Sequence, residues 1–92
     1  MSVRLTKRIE IINRRGLHAR AAALFVKHAE QFQSDIYVSH GSHEVPGRSI
    51  MGLLLLSASI GSSIQITAEG GDAEAALEAL THLVQSKFFE EA

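Results

Sequence analysis

A histidine and an arginine two residues apart, His18 and Arg20, are the residues of this sequence best suited to chemistry. They stand at the start of an alanine-rich segment, where a helix is expected to begin. The first backbone N–H groups of a helix lack partners and carry partial positive charge, so the space above Ala19, Arg20 and Ala21 attracts anions. His18 supplies a nucleophilic nitrogen, and Arg20 supplies a planar, charged donor suited to phosphate. The pattern predicts a site that carries a phosphoryl group on His18.

The hydrophobic spacing on either side of His18 predicts the elements that hold it. Apolar and charged residues alternate within 8–12, which indicates a strand that ends at Ile12 and buries one face. Within 19–32, apolar residues recur every three or four positions, the spacing of a helix with one stripe against the core. The histidine therefore follows a turn at 14–16 and lies at a junction between strand and helix.

The remaining sequence predicts three more strands and two more helices. Pro46 lacks a backbone N–H, so the strand before it is expected at an edge of the sheet. Ser49 and Asp72 are residue types that cap helix N-termini. The predicted strands cover 36–39, 43–45 and 64–68, and the predicted helices cover 50–56 and the segment from Asp72 to Phe88. Strands that bury one face indicate an α+β fold, with three helices on one face of a four-stranded antiparallel sheet in a single domain, 1–92.

Charge is distributed unevenly, although the net charge is −1. Residues 1–48 hold eight basic and four acidic residues, whereas residues 49–92 hold one basic and six acidic residues. Only 5% of the residues are aromatic, and no basic stripe is interleaved with them, so we expect no nucleic-acid binding. Because the basic half contains His18, a phosphate-sized anion or an acidic protein surface is the expected partner.

Several kinds of site are not expected from the composition. Cysteine is absent, and His28, His40, His43 and His82 lack the spacing of converging metal ligands, so we expect solvated histidines, no metal and no cofactor. The longest apolar run, 50–56, is shorter than the ~20 residues that span a bilayer. The N-terminal residues lack the apolar core of a signal peptide. We therefore expect a cytoplasmic protein with no membrane insertion.

Two segments resemble a known family. The segment Gly16-Leu17-His18-Ala19-Arg20-Ala21-Ala22 resembles the active-site motif of HPr, the histidine-containing phosphocarrier of the phosphoenolpyruvate-dependent phosphotransferase system. The segment Arg48-Ser49-Ile50-Met51-Gly52-Leu53 resembles the regulatory-serine segment of the same family. The resemblance covers nearly all of the chain. It implies an open-faced β-sandwich with four strands and three helices, in agreement with the hydrophobic pattern.

The resemblance also implies a function. His18 would accept a phosphoryl group on Nδ1 from the phosphohistidine of Enzyme I and donate it to an Enzyme IIA-type domain. Arg20 and the backbone of Ala19, Arg20 and Ala21 would stabilise the phosphate. The protein would be a monomeric carrier rather than an enzyme, and would need no cofactor. Many HPr proteins have proline where this chain has Ala21, a departure that we expect to change the transfer rate only modestly.

A second region is expected to carry docking and regulation. By resemblance, Ser49 would be phosphorylated by an HPr kinase, although a serine before a helix is also simply an N-cap. Four consecutive leucines cannot all be buried by one short helix, and exposed apolar groups near a site often bind partners. The expected docking surface contains Leu17, Ile50, Met51, Leu54 and Leu55, with Arg20 and Arg48 at its rim.

Two alternatives remain at this stage. The same carrier chemistry could serve the nitrogen-related branch of the phosphotransferase system, whose output is regulation rather than sugar import. The chain could also be a regulatory binding module that docks on partners without passing phosphate. The presence of both His18 and Arg20 argues against the second alternative.

Overall fold

The computed structural model describes residues 3–90 and contains the predicted elements in the predicted order. The four strands are β1 Val3–Glu10, β2 Asp35–His40, β3 His43–Pro46 and β4 Ser63–Gly70, and the three helices are α1 Ala19–Ala29, α2 Ile50–Leu55 and α3 Ala73–Gln85. A short turn, Lys87–Phe89, follows α3. None of the helices within residues 3–90 is long and apolar enough to cross a membrane.

The strands form one antiparallel sheet in the order β1-β4-β2-β3. Ile9 of β1 lies opposite Ile64 of β4, and Val38 of β2 lies opposite Ile66, so the buried side chains of neighbouring strands share one face. The strand that ends with Pro46 is at an edge, as predicted. The helices cover the buried face of the sheet and leave the other face open, which confirms the α+β prediction.

The core lies between this sheet face and the helices. Phe25 of α1, Leu53 of α2 and Leu80 of α3 are fully buried against it. Removing each such side chain from water contributes about 1.5–3 kcal/mol to folding. Phe88, which follows α3, is also fully buried. The core therefore fixes the start of α1 and the segment after α3 relative to the sheet.

The segment after α3 differs from its predicted conformation. The apolar stripe predicted a helix that continues to Phe88, but α3 ends at Gln85. Lys87, Phe88 and Phe89 follow with φ values of 58°, 53° and 58°, a short left-handed turn. This conformation costs non-glycine residues about 1–2 kcal/mol each. The turn directs the Phe88 ring back into the core, so the prediction was right about its burial and wrong about its backbone.

One predicted boundary and one predicted cap also need correction. β1 ends at Glu10 rather than Ile12, because Ile11 leaves the ladder and exchanges backbone hydrogen bonds with the 61–62 segment. Asp72 stands at the N-cap of α3 but makes no capping bond there. Its carboxylate instead accepts hydrogen bonds from the backbone N–H groups of Gln33 and Ser34 and from the Ser34 hydroxyl. These bonds lower the pKa of the Asp72 carboxyl, the Ser34 hydroxyl having the largest effect.

Candidate functional site

His18 is the N-cap residue of α1, as its position in the sequence predicted. Its backbone is extended, with φ −79° and ψ −179°, and its carbonyl accepts the first helical hydrogen bond from the Ala22 N–H at 2.8 Å. The imidazole makes no capping bond to the helix. Serine, threonine and aspartate at an N-cap usually bond these N–H groups through their side chains. Because the His18 imidazole does not, the N–H groups of residues 19–21 remain available to an anion.

The loop before His18 is held in place by backbone contacts. Gly16 has φ +62°, and a Cβ atom at this position would lie 2.4 Å from the carbonyl oxygen of Ala58. The next residue, Leu17, donates its N–H to the same oxygen at 2.9 Å. Only glycine combines this backbone angle with so close an approach. The position of His18 therefore depends on the packing of its loop against Ala58.

Glu90 lies beside the His18 imidazole. Its Oε2 atom is 3.5 Å from Nε2 of His18, and the side chains of the two residues are 14% and 19% exposed. The amide nitrogen of Asn13 donates to the same Oε2 at 3.0 Å and to the Gly16 carbonyl at 2.8 Å. Asn13 is itself 1% exposed. An amide from the loop thus joins the loop backbone to a carboxylate from beyond α3.

The surroundings of Glu90 favour its charged form. The Asn13 hydrogen bond has the largest effect and lowers the pKa of the Glu90 carboxyl, and the Arg15 N–H lowers it further. The charges of His18 and Arg15 act in the same direction, whereas desolvation opposes them. Sequence reasoning missed Asn13 and Glu90. The only local signal was a polar residue directly after an apolar strand, and nothing in the sequence pairs it with Glu90.

Arg20 lies on the first turn of α1 and its side chain is exposed. One guanidinium nitrogen donates to the carbonyl of Phe88 at 3.0 Å. A guanidinium has five N–H donors, so this bond anchors the group and leaves donors for an anion. The left-handed turn after α3 thus supplies the carbonyl that holds Arg20, and Glu90, which directly follows the turn, supplies the carboxylate beside His18.

Ser49 caps α2, as predicted. Its Oγ accepts a hydrogen bond from the Gly52 N–H at 2.9 Å. Arg48 was expected at the rim of a docking surface, but its guanidinium donates to the carbonyls of Ala29, Phe32 and Ser34. Three backbone carbonyls at and beyond the end of α1 thus hold the Arg48 guanidinium, and its place at the rim of a docking surface stays a prediction.

The apolar residues of α2 divide between core and surface. Met51 and Leu55 are 68% and 75% exposed, and Ile50 is 41% exposed. Leu54 is half-buried, while Leu53 and Leu56 are buried. We call the set Ile50, Met51, Leu54 and Leu55 the α2 surface. Leu17, which was expected to extend this surface, is only 5% exposed and belongs to the core, a correction that follows from the tight packing of its loop.

The other histidines do not form a ligand set. His28 and His40 are half-buried, and the Nδ1 atom of each bonds a backbone carbonyl, that of Leu24 at 2.8 Å and that of Leu56 at 2.9 Å. The expectation that both were simply solvated was wrong. Within the part of the chain that the structure describes, no three His, Asp or Glu side chains are grouped so that they could hold a metal ion.

Comparison with known proteins identifies the family to which this site belongs. The family model for the PTS HPr component phosphorylation site matches residues 5–86. The chain belongs to the HPr family. The phosphocarrier protein HPr of Neisseria meningitidis is 44% identical over 86 residues, which cover 94% of this chain and 97% of that protein. The phosphocarrier protein NPr of Shewanella violacea is 38% identical over 87 residues, which cover 95% of this chain and 96% of that protein.

Solved structures agree with this assignment. A crystal structure of HPr-C-His from Thermoanaerobacter tengcongensis superposes with a TM-score of 0.91 and 46% sequence identity, covering 96% of this chain and 99% of that chain. The resemblance noted in the sequence and the HPr-like fold are therefore confirmed. Membership of the HPr family supports the role of a phosphocarrier in the phosphotransferase system.

Proposed function

We propose that this HPr-family protein carries a phosphoryl group on His18, which it receives from the phosphohistidine of Enzyme I and passes to an Enzyme IIA-type domain. One observation carries the proposal: His18 occupies the N-cap of α1 without using its side chain as a cap, and Arg20 stands beside it. The nucleophile and the groups that bind an anion are therefore at the same place. The protein would act as a stoichiometric monomeric carrier, and needs no cofactor for this step.

Nδ1 of His18 is the nitrogen that we assign as nucleophile, because Nε2 is enclosed and faces Glu90. The Nδ1 lone pair forms a bond to phosphorus, and the donor's P–N bond breaks with its electron pair returning to the donor nitrogen. The protein's contribution is placement and charge stabilisation, since the transferring group carries its charge on three oxygens. The N–H groups of Ala19, Arg20 and Ala21, in the first turn of α1, would stabilise that charge.

Arg20 has a second part in this scheme. Its bond to the Phe88 carbonyl fixes the guanidinium, so less side-chain freedom remains to be lost when phosphate binds. The remaining donors would bind phosphoryl oxygens, and this binding would strengthen as negative charge accumulates during transfer. Transfer in the other direction uses the same contacts, which suits a carrier that must release what it accepts.

The α2 surface is the proposed docking site for both Enzyme I and the acceptor domain. Three of its four side chains are well exposed, and α2 packs against α1, the helix that carries His18. Apolar anchors of this kind usually supply most of the binding energy of an interface. Ser49 borders the same surface, so phosphorylation by an HPr kinase would add about −1.5 to −2 charges next to Ile50 and Met51 and weaken docking.

Phosphorus NMR tests the proposed function. Incubation with Enzyme I and phosphoenolpyruvate should give an acid-labile phosphoramidate signal, and the His18→Ala variant should give none. A phosphoryl signal that persists in His18→Ala would contradict the assignment. The phosphorylated protein would also be mixed, in parallel, with a sugar-type and with a nitrogen-type Enzyme IIA domain, and the rate at which it loses its phosphoryl group would be measured. The domain that accepts the group faster would identify the circuit.

A further inference from the structure

A groove runs between β1 and α3, and we call it the β1–α3 groove. Its volume is about 850 Å³, which is within the range of protein binding sites. None of the residues that line it belongs to the site around His18 or to the α2 surface. We propose that this groove docks an extended segment of a partner protein, which adds a strand to β1 and places a basic side chain beside Glu78 and Thr81.

The first support is the free edge of β1. In the strand order β1-β4-β2-β3, β1 pairs with β4, and among residues 3–90 no strand lies on its other side. Domains that bind peptides by strand addition use such an edge for main-chain hydrogen bonds, and use neighbouring pockets for side chains. Leu5 and Lys7 of β1 line one side of the groove, and α3 lines the other. The other edge strand, β3, has four residues and ends with Pro46, whereas β1 has eight residues.

The second support is the hydroxyl group of Thr81. This residue lines the groove and is 6% exposed, and within the described part of the chain its Oγ1 atom has no hydrogen-bond partner. A threonine inside a helix often bonds a carbonyl three or four residues before it, but Thr81 does not. A buried hydroxyl without a partner is costly. A polar group that enters the groove would supply the missing partner.

The third support is the charge along α3. Glu74 and Glu78 are exposed, line the groove four residues apart, and form no ion pair with any residue of the 3–90 range. Like charges at this spacing destabilise a helix, and a cation in the groove would relieve their repulsion. Thr81 follows Glu78 by three residues and lies on the same face of α3. The three N–H donors of one lysine ammonium can therefore bond both groups.

The other groups of this region define the chemistry of the segment. Three half-buried apolar side chains line the groove, so the inward side chains of the segment should be apolar or basic; these lining residues are Leu5, Phe32 and Leu77. The alternate side chains of an added strand face the open side of the sheet, where an acidic residue would pair favourably with Arg8. A second copy of β1 fits this pattern poorly. It carries three basic residues and one acidic residue, so two paired copies would repel each other.

NMR titration of the nitrogen-15-labelled protein tests the proposal. The probe is the capped peptide acetyl-Thr-Lys-Thr-Val-Glu-Val-Thr-amide, which as a strand has lysine and valine on one face and glutamate on the other. The backbone signals of residues 4–9 and 74–85 should shift, and a scrambled peptide without the alternation should cause no shift. No response to the probe, or shifts confined to α2 and the loop before His18, would overturn the proposal. The same shifts on concentrating the protein alone would place a second copy in the groove, and would also overturn it.

N-methylated probes separate strand addition from simple charge attraction. Two forms of the peptide are methylated at alternate residues, so that each form lacks the N–H groups of one edge of the strand. One form should lose binding and the other should keep it, because only one edge bonds β1. Equal binding of both forms would overturn the proposal.

Variants of α3 test the two groups that are proposed to bind the basic side chain. Thr81→Val should weaken binding of the probe about tenfold without lowering the thermal stability, because the hydroxyl has no bond to lose in the free protein. Glu78→Gln should weaken binding about threefold. Glu44→Gln makes the same change at an exposed residue of β3, on the opposite edge of the sheet, and should bind the probe like the parent. Unchanged affinity in Thr81→Val, or equal affinities in the two glutamine variants, would overturn the proposal.

Discussion

The two functional regions of the molecule are built in different ways. At the site around His18, side chains from the loop before α1 and from the turn after α3 meet, and polar bonds fix each of them. The α2 surface, in contrast, comes from one short helix with a local serine cap and apolar side chains that face outward. Chemistry needs groups held at set distances, whereas docking needs area that a partner can cover. The first requirement uses distant parts of the chain, and the second uses neighbouring residues.

The loop at Gly16 should give the largest change in stability. Gly16→Ala should destabilise the fold by about 3 kcal/mol, because alanine disfavours the positive φ and its Cβ would meet the Ala58 carbonyl. Gly41→Ala is the matched control: φ is similarly positive at +63°, but no atom lies within 4 Å of the added Cβ. Thermal unfolding of both variants measures the difference. Equal losses would show that the approach to Ala58 does not constrain the loop.

Removing the Arg20 guanidinium should have the next largest effect, on rate rather than stability. Arg20→Ala should slow phosphoryl transfer about 100-fold, since one preorganised donor group at a developing charge contributes about 2.7 kcal/mol or more. Arg20→Lys should recover only part, because a lysine cannot both hold the Phe88 carbonyl and present a planar fork. Arg4→Ala removes an exposed arginine paired with Glu69 and serves as the control. A rate in Arg20→Ala equal to that of Arg4→Ala would remove Arg20 from the site.

Substitution on the α2 surface should affect binding and not the chemical step. Met51→Asp should weaken the affinity for Enzyme I about tenfold, because it places a charge where a partner must desolvate the surface. Val3→Asp makes the same change at an exposed apolar residue of β1 and should leave the affinity unchanged. Isothermal titration with Enzyme I distinguishes them, with circular dichroism as the check on folding. Unchanged affinity in Met51→Asp would move the interface elsewhere.

Ser49 should give the smallest effects, and three variants separate its two roles. Ser49→Ala removes the acceptor for the Gly52 N–H and should cost about 1 kcal/mol of stability. Ser49→Asn and Ser49→Asp both keep a capping oxygen, but only the aspartate adds charge beside Ile50 and Met51. We therefore expect a raised Michaelis constant for Enzyme I in Ser49→Asp alone. Equal constants in the Asn and Asp variants would leave Ser49 as a helix cap only.

Local patterns in the sequence predicted most of the fold. Alternation of apolar and polar residues identified the strands, and apolar residues spaced three and four apart identified α1 and α3. The cap at Ser49 was predictable because an N-cap bond involves only the capping residue and the first turn of its helix. The position of His18 at the start of α1 was predictable for the same reason. The exposure of Met51 and Leu55 followed from the number of leucines that one short helix can bury.

Most of the failures involve contacts between distant segments. The hydrogen bonds of Arg48 to carbonyls near the end of α1 were not predicted, because periodicity alone does not bring these carbonyls to it. Asp72 is a residue type that often caps helices, yet its carboxylate accepts a hydrogen bond from the Ser34 hydroxyl instead of from the first N–H groups of α3. The contact between Asn13 and Glu90 was not predicted, because a left-handed turn precedes Glu90 where the apolar pattern had predicted a helix that continues to Phe88. A sequence pattern reports the periodicity of an element and not where its ends are directed.

The left-handed turn also bears on when the molecule becomes competent as it is made. The segment 87–90 supplies the carbonyl that holds Arg20 and the carboxylate beside His18, and it follows β1–β4 and α1–α3 in the described part of the chain. During synthesis the N-terminal parts of a protein leave the ribosome first. A nascent chain that has exposed β4 and α3 can assemble the sheet and cover it, while His18 still lacks its neighbours from this segment. Because Phe88 of this segment is also a core residue, we expect the last step of core packing to complete the site around His18 as well.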